Sequence, residues 1–141
     1  AHNNQSLGHQ WGGNFRELIA IARYNKGRLF ADAKVTVGTR GLDFNTTEDS
    51  FNYGGNIYKD YDEKRPFDTG VKVGQGNKTK VFIADIQGGY LVNPATNLKL
   101  FASYIYRSFD PSKNTVATFN QSTNWVTLGV RSDIFNFYFD Y

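Results

Sequence analysis

Between residues 43 and 77, aromatic and hydrogen-bonding side chains are interleaved: Phe51, Tyr53, Tyr58, Tyr61 and Phe67 among Asn52, Asn56, Asp60, Asp62 and Asp68. This mixture suits a carbohydrate, whose C–H faces stack on rings while its hydroxyls exchange hydrogen bonds with amides and carboxylates. Tyr53, Tyr58, Tyr61, Asn52, Asn56 and Asp60 are therefore the candidate polysaccharide-binding residues. The competing reading is that the rings fold the segment onto itself.

Other chemistry finds less support. Asp60, Asp62 and Glu63 offer the hard oxygens that calcium takes, but their spacing lacks a regular calcium loop. Lys59, Lys64 and Arg65 supply counter-charges nearby, so no metal is expected. The histidines, His2 and His9, have no nucleophile, elbow motif or companion carboxylate beside them in sequence, and no catalytic residue follows. Gly74-Gln75-Gly76 does not open a helix after a strand, so it is not read as a phosphate cradle, and no cofactor is expected. The chain has no cysteine, which excludes disulfides and thiolate metal sites. Its 16 basic and 13 acidic residues are spread without a basic block, which argues against nucleic acid as a partner.

These groups must be positioned by strands. From 28 to 42 the sequence alternates with period two: Leu29, Ala31, Ala33, Val35 and Val37 on one side, Arg28, Asp32, Lys34, Thr36 and Arg40 on the other. Similar segments cover 14–24, 78–92 and 98–109, with Phe82, Ala84, Ile86, Tyr90, Leu100, Ala102, Tyr104 and Tyr106 sharing the apolar phase. The opposite phase gathers Asp32, Lys34, Arg40, Asp85, Lys99, Arg107 and Arg131, a set with both signs of charge. A soluble sandwich hides its apolar phase in a core, whereas a transmembrane barrel turns it to lipid around a polar lumen.

The connections favour the barrel. Turns near 25–27 and 93–97 are short, whereas 43–77 and 110–122 are long, so short and long alternate as in outer-membrane barrels with brief periplasmic turns and extended external loops. Aromatic residues make up 16% of the chain, and several stand near strand ends, where interfacial girdles need them. The longest aliphatic run, Leu18 to Ala22, is far too short for a spanning helix. A mean hydropathy of −0.52 is compatible with strands that hide apolar residues at alternate positions.

Near the end, Val126, Leu128 and Val130 share one phase and Phe135, Phe137, Phe139 and Tyr141 the other. A single strand with a phase slip around 131–134 accounts for this and gives five strands in all. Five strands cannot close a barrel whose smallest form needs about eight. The expectation is thus an all-β, antiparallel transmembrane β-barrel of which residues 1–141 form the C-terminal portion, the remaining strands lying in a removed part or in another chain.

Four segments carry a resemblance: Leu7-Gly8-His9-Gln10-Trp11-Gly12-Gly13-Asn14-Phe15-Arg16-Glu17, Asn52-Tyr53-Gly54-Gly55-Asn56-Ile57-Tyr58, Gly74-Gln75-Gly76-Asn77-Lys78-Thr79 and Leu91-Val92-Asn93-Pro94-Ala95-Thr96-Asn97-Leu98. In this order they resemble the C-terminal region of Bacteroidetes outer-membrane barrels of the capsule-assembly Wzi and gliding-motility RemB type. The resemblance implies a non-enzymatic protein of the cell outer membrane, with lipid around it and a role in retaining surface polysaccharide or in gliding. The ending Tyr138-Phe139-Asp140-Tyr141 resembles the aromatic signal read by the barrel-assembly machinery. The alternatives are a structural barrel subunit of a larger envelope complex without a glycan ligand, and a small soluble sandwich or lipocalin-like binder.

Overall fold

The computed structural model describes residues 8–60 and 62–132. They form one antiparallel sheet of five strands, β1 (Phe15–Lys26), β2 (Leu29–Leu42), β3 (Asn77–Asn93), β4 (Leu98–Pro111) and β5 (Gln121–Arg131), lying side by side in chain order. No helix among the described residues is long and apolar enough to cross a membrane. The sheet is open: β1 and β5 are its two edges, and each strand contacts only its neighbours. The phase slip expected around 131–134 and the aromatic ending lie outside the described residues.

β1 runs two residues past the 14–24 expected from periodicity, because Lys26 pairs with Leu29 across a two-residue turn. Gly27 takes a φ of 59° at the first central position, a conformation that matches the twist of a hairpin and that side-chain-bearing residues resist. The β3–β4 turn is built by polar side chains: Asn93 Oδ1 accepts from Ala95 N at 2.9 Å, and Asn97 sits at φ 50°. Asparagine tolerates that region better than most residues. Both short turns thus fall at one end of the sheet, and residues 43–76 and 112–120 at the other.

Register assigns every strand residue to one of two faces. Leu18 opposes Val37, which opposes Phe82; Ala22 opposes Ala33, which opposes Ile86, Tyr104 and Val126 in turn; Leu29 opposes Tyr90, which opposes Leu100 and Val130. No described residue covers this apolar face, and Leu18, Val126 and Leu128 are all about 70% exposed or more. The single buried hydrophobic residue among those described is Val81.

The second face carries Glu17, Arg23, Asp32, Lys34, Arg40, Asp85, Arg107, Lys99 and Arg131. Its large rings lie flat across glycines on neighbouring strands. Phe30 covers Gly89, directly opposite it, and Trp11 from the segment before β1 covers Gly38. A Cβ at either glycine would overlap the ring. Replacing Gly38 by valine is expected to lift Trp11 off the sheet and destabilise the protein by about 1–3 kcal/mol, the usual cost of overpacking. Thermal unfolding and the tryptophan emission maximum of Gly38→Val read the two effects.

Candidate functional site

The buried polar residues gather mainly at the loop end of the sheet, where the chain before β1, the long loop and the second loop converge. Asp43, Asn77, Thr79 and Thr118 are buried there, Asn77 and Thr79 completely. Buried polar groups are stable only when paired, so each must be bonded.

Asn14 is the hub. Its Nδ2 donates to the carbonyls of Gly41 (3.1 Å), Tyr53 (2.8 Å) and Gln75 (3.0 Å), and its Oδ1 accepts from Gly74 N at 2.7 Å. One side chain thereby ties the start of β1 to the end of β2 and to two separated parts of the long loop. A φ of 53° at Asn14 is part of this arrangement. Asp43 extends it, accepting from Tyr53 N at 2.8 Å through Oδ1 and pairing with Lys59 Nζ at 2.7 Å through Oδ2. The second loop is fastened by Asn77, whose Nδ2 donates to Lys113 O (2.7 Å) while its Oδ1 accepts from Lys113 N (3.0 Å). Lys113 Nζ also lies 5.4 Å from the centre of the Phe44 ring, joining the two loops by a cation–π contact.

Within the long loop, the candidate carbohydrate residues divide. Asn52, Tyr53 and Asn56 line one cleft of about 240 Å³ together with Lys59, Arg65, Phe67 and Asp68. Their polar atoms already serve the loop: Asn52 Oδ1 accepts from Gly54 N at 2.9 Å and its Nδ2 donates to Asp60 O at 3.1 Å, while Asn56 Oδ1 accepts from Tyr58 N at 3.0 Å. Such bonds to the backbone two residues on build the loop's turns. The Tyr53 hydroxyl donates to Asp49 Oδ2 at 3.0 Å, and its ring meets Phe44 edge-on at 5.8 Å. Tyr58 stands outside the cleft and is 92% exposed, and Asp60 is exposed without lining it. Tyr61 lies outside the described residues.

The counter-charges are also deployed differently from the sequence reading. Lys59 pairs with Asp43 and Arg65 with Asp68 at 2.9 Å, not with the acids at 60, 62 and 63. Among the described residues, no three His, Asp or Glu side chains are grouped to hold a metal. The cleft residues Val71 and Gln75 had no local signal in sequence; only the folding back of the loop brings them in.

On the charged face, Asp32, Lys34, Arg40, Asp85, Lys99, Arg107 and Arg131 stand on one side of the sheet. Asp32 pairs with Arg23 at 3.7 Å, Lys34 stands opposite Asp85 in register, Lys99 opposite Arg131, and Lys99 Nζ lies 5.9 Å from the Phe30 ring centre. Arg40 donates from Nη2 to Trp11 O at 2.6 Å. The sequence offered His9 no companion carboxylate; the structure supplies Glu17, whose Oε1 is 2.6 Å from His9 Nε2. The other ring nitrogen accepts from Trp11 N at 3.1 Å, and the ring stacks on Phe15 at 4.2 Å. With both nitrogens engaged, His9 holds the segment before β1 in place and has no lone pair left for general-base work.

No protein-family model matches this sequence, and neither a curated protein nor a solved structure is significantly similar to it.

Two measurements probe the loop end. Asn14→Ala removes two amide N–H donors shared among three carbonyls, and the acceptor for Gly74 N, and it places a residue less tolerant of left-handed geometry at φ 53°. A loss of about 2–4 kcal/mol is expected, at roughly 1 kcal/mol per net bond, with faster limited proteolysis within residues 43–76. Asn14→Gly relieves the backbone conformation yet should release the loop just as readily.

Burial pushes the Tyr53 phenol above its ordinary value of 10, aided by its bond to Asp49 and the charges of Asp49 and Asp43. The folded form therefore holds the proton more tightly than the unfolded form. The associated stability is complete below about pH 10 and is lost as pH rises through the higher folded value. Alkaline titration followed by phenolate absorbance should show a late-titrating tyrosine that Tyr53→Phe removes.

Proposed function

We propose that this chain is part of the wall of a transmembrane β-barrel in a bacterial outer membrane, with the loop end outside and the short turns in the periplasm. The observation that carries this reading is the uncovered apolar face: a single-layer sheet presents Leu18, Val37, Ile86, Leu100, Val126, Leu128 and Val130 to its surroundings while one hydrophobic residue among those described is buried. Soluble proteins rarely leave so large a contiguous patch bare, whereas lipid requires one. Phe82 and Tyr106, 6.0 Å apart, stand toward the loop end of that face, and Tyr24 and Tyr90 toward the turn end, as interfacial girdles do. From Lys80 to Val92 β3 extends about 40 Å at roughly 3.3 Å per residue, which a tilt of about 40° projects to some 30 Å, the hydrocarbon thickness.

The open edges follow from the same reading. Unpaired edge groups cannot face lipid, so further strands complete the wall beside β1 and β5. Both edge strands run from the loop end to the turn end, so an all-antiparallel closure takes an odd number of additional strands. The charged face, including Asp32, Lys34, Asp85, Lys99 and Arg131, then lines the lumen. The role is non-enzymatic: the loops form a cap at the cell surface, whose cleft at Asn52, Tyr53, Asn56 and Phe67 serves retention of surface polysaccharide or gliding motility. The bonding of Asn52, Tyr53 and Asn56 within the loop favours a second reading, a structural subunit of a larger envelope complex with no glycan of its own.

A charge at mid-face separates the membrane reading from a soluble one. In Leu128→Arg, insertion into outer-membrane-composition vesicles should weaken by about 2–4 kcal/mol, whereas Thr127→Arg on the opposite face should insert normally. Equal insertion of both variants, or a monomeric chain that stays in solution without detergent, would overturn it. Loss of capsule retention in Phe67→Ala with intact insertion would favour the glycan role over the structural one.

A further inference from the structure

We infer that the charged face holds a built site for a carboxylate-bearing sugar, separate from the loop cleft, in a cavity between Arg40 and Arg107. The cavity, about 370 Å³, is lined by Trp11, Arg40, Arg107, Phe109, Gln121 and Thr123 among others, and by no acidic residue. Its size is that of one or two sugar rings, and it lies within this chain, so it does not depend on where the apolar face sits.

Three observations point to an anion. Arg40 comes from β2 opposite Thr79, and Arg107 from β4 opposite Ile83, so two fork-shaped cations border the cavity from strands on either side of β3. Arg40 uses Nη2 on the Trp11 carbonyl, but its Nε is buried without any hydrogen-bond partner. The Arg107 side chain, exposed on the same face, makes no hydrogen bond or ion pair among the described residues, so its fork is open to an incoming carboxylate. The acids nearest on this face, Glu17 and Asp85, line the adjoining recess, which Arg107 also borders; there Glu17 is taken by His9 and Asp85 stands opposite Lys34 in register.

The remaining lining chooses among anions. Planar forks bind carboxylates through two parallel bonds, Trp11 and Phe109 provide apolar walls for C–H faces, and Gln121 and Thr123 offer partners for hydroxyls. Inorganic phosphate would use the arginines and leave the rest of the wall idle.

The test is calorimetric titration of the full chain in detergent micelles with a galacturonic acid tetramer, a neutral glucose tetramer and inorganic phosphate. Saturable binding of the acidic tetramer is expected, at least tenfold weaker in Arg107→Gln, partly kept in Arg107→Lys, and weakened by salt. Ala117→Trp, which narrows the cavity from the second loop without touching either arginine, should abolish binding, and circular dichroism checks that each variant folds. Equal binding of the neutral tetramer, phosphate binding as tight as the acidic tetramer, or binding unaffected by both Arg107→Gln and Ala117→Trp would overturn the site. Failure here with normal insertion of the chain leaves the membrane reading standing, since insertion depends on the other face.

Discussion

A single antiparallel layer permits each side chain only two directions, and among the described residues nothing packs over the apolar one. The backbone is satisfied by strand pairing, with β2, β3 and β4 each bonded on both sides over most of their length. No second sheet or helix shields Leu18, Ile86 or Leu128 among the described residues. The usual dominant contribution to folding, burial of apolar surface in a protein core, must therefore come from whatever surrounds the sheet. Everything else in the molecule is arranged around that asymmetry: the small residues Ala20, Ala22, Ala33, Ala84 and Ala102 keep the middle of the apolar face smooth, and rings on the opposite face lie down over glycines.

The two ends of the sheet are stabilised by different physics. At the turn end, geometry suffices, since Gly27 in one turn and Asn93 and Asn97 in the other reverse the chain within two to four residues. At the loop end, the chain builds an interior from polar groups, with Asn14, Asp43 and Asn77 at its centre. Hydrogen bonds in such a buried network depend on one another, since removing one partner leaves another unsatisfied at full desolvation cost. This fastens the long loop, whose Asp43, Asp49, Asn52 and Asn56 side chains are committed to the loop's own backbone. Among the loop's described aromatic residues, Tyr58 is the most exposed.

The strands were legible because period two is a property of neighbouring residues: the four segments read from alternation match β1 to β4 to within two residues at each end, and the phases agree with the cross-strand register. β1 was read short because Asn25 and Lys26 look like turn formers, yet Lys26 still pairs with Leu29 across Gly27. The aromatic-polar mixture of the long loop was visible, but its division between cleft and scaffold was not. That division depends on Asn14, sixty residues from Gly74, and no local pattern announces a contact so distant. The His9–Glu17 pair was missed for a similar reason, since a turn folds His9 back along β1.

Alternation and loop order, by themselves, determined that this chain makes an antiparallel sheet with one apolar and one charged face, because a strand's two directions are fixed by covalent geometry. Tertiary structure alone decided that the apolar face remains uncovered, that Arg40 and Arg107 meet one acid-free cavity, and that Asn14 locks the cap. Those outcomes depend on which strands lie side by side and how far each is shifted along its neighbour. Register converts distance along the chain into proximity in space, and it is set by the pairing of whole strands, not by any residue read singly.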